Sequence, residues 1–338
     1  MEADPGLAAM ADEFQGRRVL VLGDVITDVY LEGRIARISR EAPVFVLEYL
    51  GETMVLGGAG NAAANLQSLG GRVILAGIVG DDEPGRATRV LAQNRGIDVS
   101  LLAAEPGRPS CTKTRILATG EHTVKQQMLR VDRTKPGPPA REILDFLREG
   151  LARAIPSVEA VVLSDYGLGI LPIELFRLAM DLAASAGLPV VVDSRYQILA
   201  FQGATLLTPN VAEAEGALGE PLADEEAIVR AGRTLMARLQ PKGLLITRGP
   251  DGMSLFEPDG RVTHIPAANR LEVFDVSGAG DTVVAAVTLG LAAGLDLLSA
   301  ARLANFAAGV VVRKMGTATV SLEELKTAID QFGRERTP

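Results

Sequence analysis

Six short apolar runs recur along the chain: "VLVLG" (19–23), "VILAGIVG" (73–80), "AVVLS" (160–164), "PVVV" (189–192), "TLLT" (205–208) and "LLIT" (244–247). Their apolar residues are consecutive instead of alternating, which is the pattern of strands buried on both faces. Stretches of helical composition lie between and after them, near 61–69, 84–95, 140–154, 172–186, 223–238, 282–293 and 297–314. Buried strands interleaved with helices predict an α/β fold with a mostly parallel central sheet covered by helices on both sides. "GLLITRGPDGMSLFEPDGRVTHIP" (243–266) breaks the rhythm, and its two PDG turns predict hairpins at one edge of that sheet. At 338 residues the length allows one large domain or two smaller ones.

Two segments lack crossover helices. "PVFVLEYL" (43–50) with "ETMVL" (52–56), and "CTKTRILATGEHTVKQQMLRVD" (111–132), read as strands. In the second, Thr112, Thr114 and Ile116 alternate with Lys113, Arg115 and Leu117, the period of a half-exposed strand. These strands predict a small β-layer protruding from the main domain as a lid. Polar residues stand directly after the apolar runs: Asp24, Asp165, Asp193, Asn210 and Arg248. In a parallel sheet those ends share one edge, where ligands of open α/β sheets bind. Helix capping explains any one of them, but five together favour a site.

Several function classes are disfavoured. A net charge of -8, no Trp and 4% aromatic residues argue against a nucleic-acid surface, which needs a basic face or stacking platforms. The single cysteine, Cys111, rules out an intramolecular disulfide framework and suits a reducing compartment. Two histidines, His122 and His264, do not make a histidine-rich zinc site. No apolar run reaches the roughly 18 residues of a spanning helix, and the acidic N-terminus lacks the basic region of a signal peptide. The expectation is a cytoplasmic protein without nucleic-acid or membrane partners, residues 1–15 forming a tail or a short docking helix.

The chemistry concentrates in "FDVSGAGDTVVAAV" (274–287). Its glycines permit positive φ and close approach to the backbone. A helix starting near Asp281 would aim the N–H groups of Gly278, Ala279, Gly280 and Asp281 outward at its positive end, an anion site. Asp281 is then either an N-cap or a group doing proton chemistry beside the anion; Val284 provides no capping box. No G-x-x-x-x-G-K-[ST] is present. "GAGNAA" (58–63) matches the dinucleotide pattern G-x-G-x-x-A but follows the lid strands, not the first strand of the sheet. An NAD(P)-dependent Rossmann oxidoreductase is the alternative this match offers.

"DVSGAGD" (275–281), "GGAGNAAAN" (57–65) and "TPNVAE" (208–213) together resemble, in order, the signatures of the ribokinase-like (PfkB) carbohydrate kinases. The resemblance covers about residues 16–330, with the lid at about 30–56 and 111–131 and a C-terminal tail at 331–338. It implies a three-layer α/β/α fold and ATP-dependent phosphorylation of a sugar or sugar phosphate. Within the family, "GDVITDVYLEGRIARISREAPVFV" (23–46), "QQMLRVD" (126–132), "LSDYGLGIL" (163–171), "EVFDVSGAGDTV" (272–283) and "NFAAGVVVRKMGTATVS" (305–321) resemble the heptose 7-phosphate kinases of ADP-heptose synthesis. Some of those are fused to a nucleotidyltransferase; the chain ends soon after the kinase signature, which implies a kinase alone. Two departures stand out: Leu168 replaces the lysine of their "DY-x-KG", and Asp193-Ser194-Arg195 replaces "DPK". They bear on the substrate more than on the reaction class.

By the resemblance, Asp281 is the general base toward the sugar hydroxyl, and the Gly278, Ala279 and Gly280 amides stabilise the transferring phosphoryl group. Asp28, Gly58, Asn61, Arg130 and Asp165 fall at sugar-side positions; for Asn61, capping of its own helix is an alternative or additional role. Asn210, Arg195, Thr247, Gly249 and Asn305 fall along the nucleotide. Asn210 and Glu213 match the Mg²⁺ motif, acting through water, although a helix-start Asn with a first-turn Glu gives the same pattern. A monovalent cation such as K⁺ near Asp275 and the Gly316 loop occurs in some relatives. The lid concentrates cations, among them Arg34, Arg37, Lys113, Arg115 and Arg130, which suits a substrate already carrying phosphate. Charged edge strands that discourage aggregation give the same composition. The expectation is that Arg130 or another lid arginine grips that phosphate, and that two lids pair in a homodimer.

Overall fold

The computed structural model describes residues 5–119, 125–269 and 273–334. The N-terminal half runs α1 (Pro5–Asp12), β1 (Arg18–Gly23), β2 (Val25–Ile38), β3 (Phe45–Gly58), α2 (Ala59–Ser68), β4 (Arg72–Gly80), α3 (Glu83–Asn94) and β5 (Asp98–Glu105). Next come β6 (Cys111–Thr119), β7 (Gln126–Arg133), α4 (Arg141–Ala154), β8 (Ala160–Asp165), α5 (Ile173–Ser185), β9 (Val190–Ser194) and β10 (Leu206–Leu207). The remainder is α6 (Val211–Leu218), α7 (Glu225–Leu239), β11 (Gly243–Thr247), β12 (Met253–Phe256), β13 (Val262–Ile265), α8 (Ala279–Ala292), α9 (Leu297–Val311) and α10 (Leu322–Arg334).

Nine strands of the described residues form the main sheet in the order β13-β12-β11-β10-β9-β8-β1-β4-β5. From β5 to β11 every pairing is parallel; β12 and β13 add antiparallel, as the PDG turns predict. The consecutive apolar residues of β1 feed two cores. Val19 and Val21 belong to the core shared with α2, α8 and α9, while Leu20 and Leu22 belong to the one shared with α4, α5 and α7. This is the α/β/α sandwich expected from the sequence. The chain steps from β1 outward through β4 to β5, then resumes on the other side at β8. The strand order therefore reverses between β1 and β8, and the C-terminal strand ends open a crevice there.

The lid is a separate four-stranded sheet, β3-β2-β6-β7. It is longer than predicted, because β2 and β3 pair from Val25↔Gly58 to Ile38↔Phe45 and so begin directly after β1. Residues 5–12 form α1, which packs Leu7 and Ala11 into the core. Two elements were not foreseen, β5, whose buried and exposed residues interleave, and α10; the eight-residue α6 starts at Asn210 as the helix-start alternative for that motif had it. Among the described residues no helix is long and apolar enough to cross a membrane.

Candidate active site

The helix α8 begins two residues before Asp281. Its N-cap is Gly278, at φ 78° and ψ 3°, and Asp281 occupies the third helical position. The N-cap alternative for Asp281 is thereby corrected: Gly278 holds that position, and the Asp281 carboxylate makes no capping hydrogen bond. A Cβ on Gly278 would lie 2.6 Å from Asn61 Nδ2, so both the positive φ and the close approach require glycine. The Ala279 N–H donates to Val276 O at 3.2 Å. The amides of Gly278, Gly280 and Asp281 have no backbone acceptor among the described residues, and a Cβ at Gly280 would meet only open space. The anion cradle thus has three amides, Ala279 standing outside it.

Asp281 is 4% exposed. Its Oδ2 accepts from Asn61 Nδ2 at 2.7 Å and its Oδ1 from the Tyr166 hydroxyl at 2.9 Å. Burial pushes its pKa up to about 6; the Asn61 and Tyr166 hydrogen bonds oppose the rise, Asp28 adds to it and Lys113 opposes it. Asn61 does not cap α2: Gly58, at φ 55°, is the N-cap, and the Asn61 side chain crosses to α8 instead.

A cavity of about 330 Å³ opens above Asp281 between the main sheet and the lid. Lys113, Arg115 and Arg130 enter it from β6 and β7, Asp28 from β2 and Arg195 from beyond β9. Asp28 and Arg115 form a buried ion pair at 2.7 Å. Arg130 is half-exposed and pairs with Asp132 at 2.8 Å. Lys113 Nζ lies 4.8 Å and Arg195 Cζ 5.0 Å from the Tyr166 ring centroid, within cation–π range. Burial lowers the Lys113 pKa, and Arg195 lowers it further.

Of the residues singled out in the sequence, Gly278, Gly280, Asp281, Gly58 and Asp165 line the cavity, as do Asn210, Glu213 and Thr247. Gly249 is exposed and outside the lining. Asn305 is buried and donates to Pro266 O at 2.9 Å, also outside it. Asp24 and Arg248 likewise turn elsewhere: Asp24 Oδ2 accepts from the Tyr166 and Leu168 amides, and Arg248 pairs with Glu225. Sequence reasoning missed Tyr166 and treated Lys113 only as lid charge. Tyr166 directly follows the strand-end Asp165, so adjacency to that row of polar ends was the available signal.

Asn210 and Glu213 form a reciprocal capping box at the start of α6, each side chain accepting from the other's N–H at 2.9 Å. The cap uses only one Glu213 oxygen. Burial pushes the carboxyl of neighbouring Asp193 well above its usual range, and the charges of Glu213 and Asp281 add to this. Burial also raises the Glu213 pKa. Among the described residues no group of three His, Cys, Asp or Glu side chains could cage a metal; Asp193 and Glu213, mutually repelling hard-oxygen donors in the cavity wall, fit Mg²⁺ because it takes few protein ligands and keeps its waters. Asp275 is already engaged, its oxygens accepting from the Ser277 and Gly316 amides at 2.9 Å.

A helix-end amide cradle, a buried carboxylate at its third position and a lid closing over both define a carbohydrate kinase of the ribokinase-like kind. The chain belongs to the pfkB family carbohydrate kinases, whose sequence model matches residues 17–325. This overturns the oxidoreductase alternative. "GAGNAA" runs from the last residue of lid strand β3 into the first turns of α2, and its Asn61 bonds Asp281. The "Bifunctional protein HldE" of Trichlorobacter lovleyi is 43% identical over 319 residues, 94% of this chain and 64% of that protein. That of Geobacter metallireducens is 45% identical over 311 residues, 90% of this chain and 61% of that protein. The chain thus spans less than two thirds of these relatives. Arabidopsis thaliana ribokinase complexed with ribose and ATP matches at TM-score 0.71 and 18% identity, over 95% of this chain and 99% of that one. Escherichia coli phosphofructokinase-2 in complex with potassium matches at 0.74 and 18%, over 95% and 100%. Both likenesses concern the fold.

Proposed function

We propose that the chain transfers the γ-phosphoryl group of ATP to a hydroxyl of a sugar that already carries a phosphate. The best candidate is heptose 7-phosphate, giving heptose 1,7-bisphosphate for ADP-heptose synthesis. The observation that carries this reading is the juxtaposition of a buried, oriented Asp281 with Lys113, Arg115, Arg130 and Arg195 around one cavity. The 43–45% identity to HldE supports the heptose assignment.

Asp281 takes the proton of the attacking hydroxyl as the new O–P bond forms and the bond to the ADP oxygen breaks. The amides of Gly278, Gly280 and Asp281 stabilise the charge on the phosphoryl oxygens. Asn210 and Glu213 would hold Mg²⁺ through water, and the bound ion would supply neutralisation of the ATP phosphates. Arg195 and Thr247 lie on the nucleotide side, and Asp28, Gly58, Asp165 and Arg130 on the sugar side. Asp275, whose oxygens each accept one amide and keep a lone pair, would be the residue to hold a K⁺. The cytoplasm, where ATP is available, suits this chemistry.

A kinase of an unphosphorylated sugar is the second reading. It is favoured by one observation: Arg115 and Arg130 each already pair with a carboxylate. A coupled ADP-release screen over sugars and sugar phosphates separates the two. A phosphorylated sugar is expected to turn over, with a fall of roughly 10²–10⁴-fold in Asp281→Asn and a raised KM in Arg130→Gln. Turnover of free sugars alone would establish the second reading, and an unimpaired Asp281→Asn would remove the base.

A further inference from the structure

Tyr166 is the first residue after β8, at the reversal of strand order. Three separate contacts fix it there. Its backbone N–H donates to Asp24 Oδ2 at 2.9 Å. Its ring carries Lys113 from the lid and Arg195 from the body at 4.8 and 5.0 Å. Its hydroxyl donates to Asp281 Oδ1 at 2.9 Å, while Asn61 holds the other oxygen at 2.7 Å. A carboxylate held at both oxygens has one rotamer, and each oxygen keeps a lone pair for an incoming proton.

We infer that Tyr166 is a positioning residue for phosphoryl transfer: its hydroxyl, paired with Asn61, holds the Asp281 carboxylate toward the acceptor hydroxyl. The inference rests on Asp281 being the base. The phenol is suited to the task because it stays a donor. Burial, Asp281 and Asp193 all push its pKa well above the usual value, with Arg195 opposing. The charged groups around Asp281 are Asp28 from β2, Lys113 from β6, and Asp193 with Arg195 at the end of β9; Asn61 of α2 is neutral. Within that set the Tyr166 hydrogen bond favours the ionised carboxylate. Losing it leaves a buried carboxylate with one donor instead of two, which favours the proton-bound form.

Tyr166→Phe tests this while keeping the ring under both cations. In pH profiles of kcat/KM on one phosphorylated sugar, the acidic limb of the variant is expected to move up by about one pH unit. At pH 8.5, where Asp281 is ionised in both proteins, kcat should still be lower by roughly severalfold while KM stays within about twofold of the parent's. Comparing both proteins on the same substrate cancels the titration of the substrate's own phosphate. A merely structural role would lower activity equally at every pH, so parallel profiles would overturn the inference. Failure of the underlying reading looks different: no sugar-dependent ADP release by the parent, or undiminished turnover by Asp281→Asn, removes the base and the inference with it.

Discussion

Asp281 concentrates the energetic conflict of the site. A carboxylate 4% exposed, with its pKa raised from 3.8 to about 6, costs stability whenever it is charged. Over that shift the cost is roughly 3 kcal/mol. The folded state binds the proton more tightly than the unfolded one. The cost is therefore absent below about pH 4, grows between about 4 and 6, and is complete above. Asp24, also raised to about 6 chiefly by burial, acts in the same direction. Asp281→Asn should accordingly be at least as stable as the parent at pH 7.5 by denaturant titration, though inactive. Its stability should also depend less on pH between about 4 and 6. A variant markedly less stable at pH 7.5 would mean that the hydrogen bonds of Asn61 and Tyr166 outweigh the buried charge.

Elements place these residues through their ends. The α2 and α8 helices pack against each other, and their interface carries a short polar chain. Thr282 donates to Asn65 Oδ1 at 3.0 Å, Asn65 Nδ2 donates to Asn61 O at 3.1 Å, and Asn61 reaches Asp281. The start of α6 serves two purposes, which two substitutions can separate. Asn210→Ala removes the cap and should cost about 1 kcal/mol of stability. Glu213→Gln keeps a side chain that can accept from the Asn210 N–H but removes the charge. It should leave stability within about 0.5 kcal/mol while raising the Mg²⁺ concentration needed for half-maximal activity severalfold. Unchanged Mg²⁺ dependence in Glu213→Gln would confine the motif to capping.

At the scale of the molecule, the lid alternates its two faces. Arg130 enters the cavity, so its neighbours Leu129 and Val131 point the other way, and they are 56% and 49% exposed. Phe45 and Tyr49 of β3 are likewise 51% and 67% exposed. Such an apolar surface on the outer face of the lid sheet suits burial against a second copy, and a homodimer through the lids is our proposal. Tyr49→Glu with Leu129→Glu should give monomers by light scattering while the main-domain unfolding transition persists; an unchanged mass would place the interface elsewhere. The layered parallel sheet, the edge hairpins and the row of polar strand ends were legible in the sequence because burial on both faces and turn chemistry are local patterns. The glycines and carboxylate of "DVSGAGD" were legible for the same reason. Asp281 as the third residue of its helix, and its pairing with Asn61 and Tyr166, were not. Those contacts join positions 220 and 115 residues apart, and no local pattern encodes them. The same holds for Lys113 and Arg195 meeting over one aromatic ring. The sequence by itself determined which groups lie at the sheet edge; only tertiary packing decided which of them touch, because buried polar groups must find partners wherever the fold brings them.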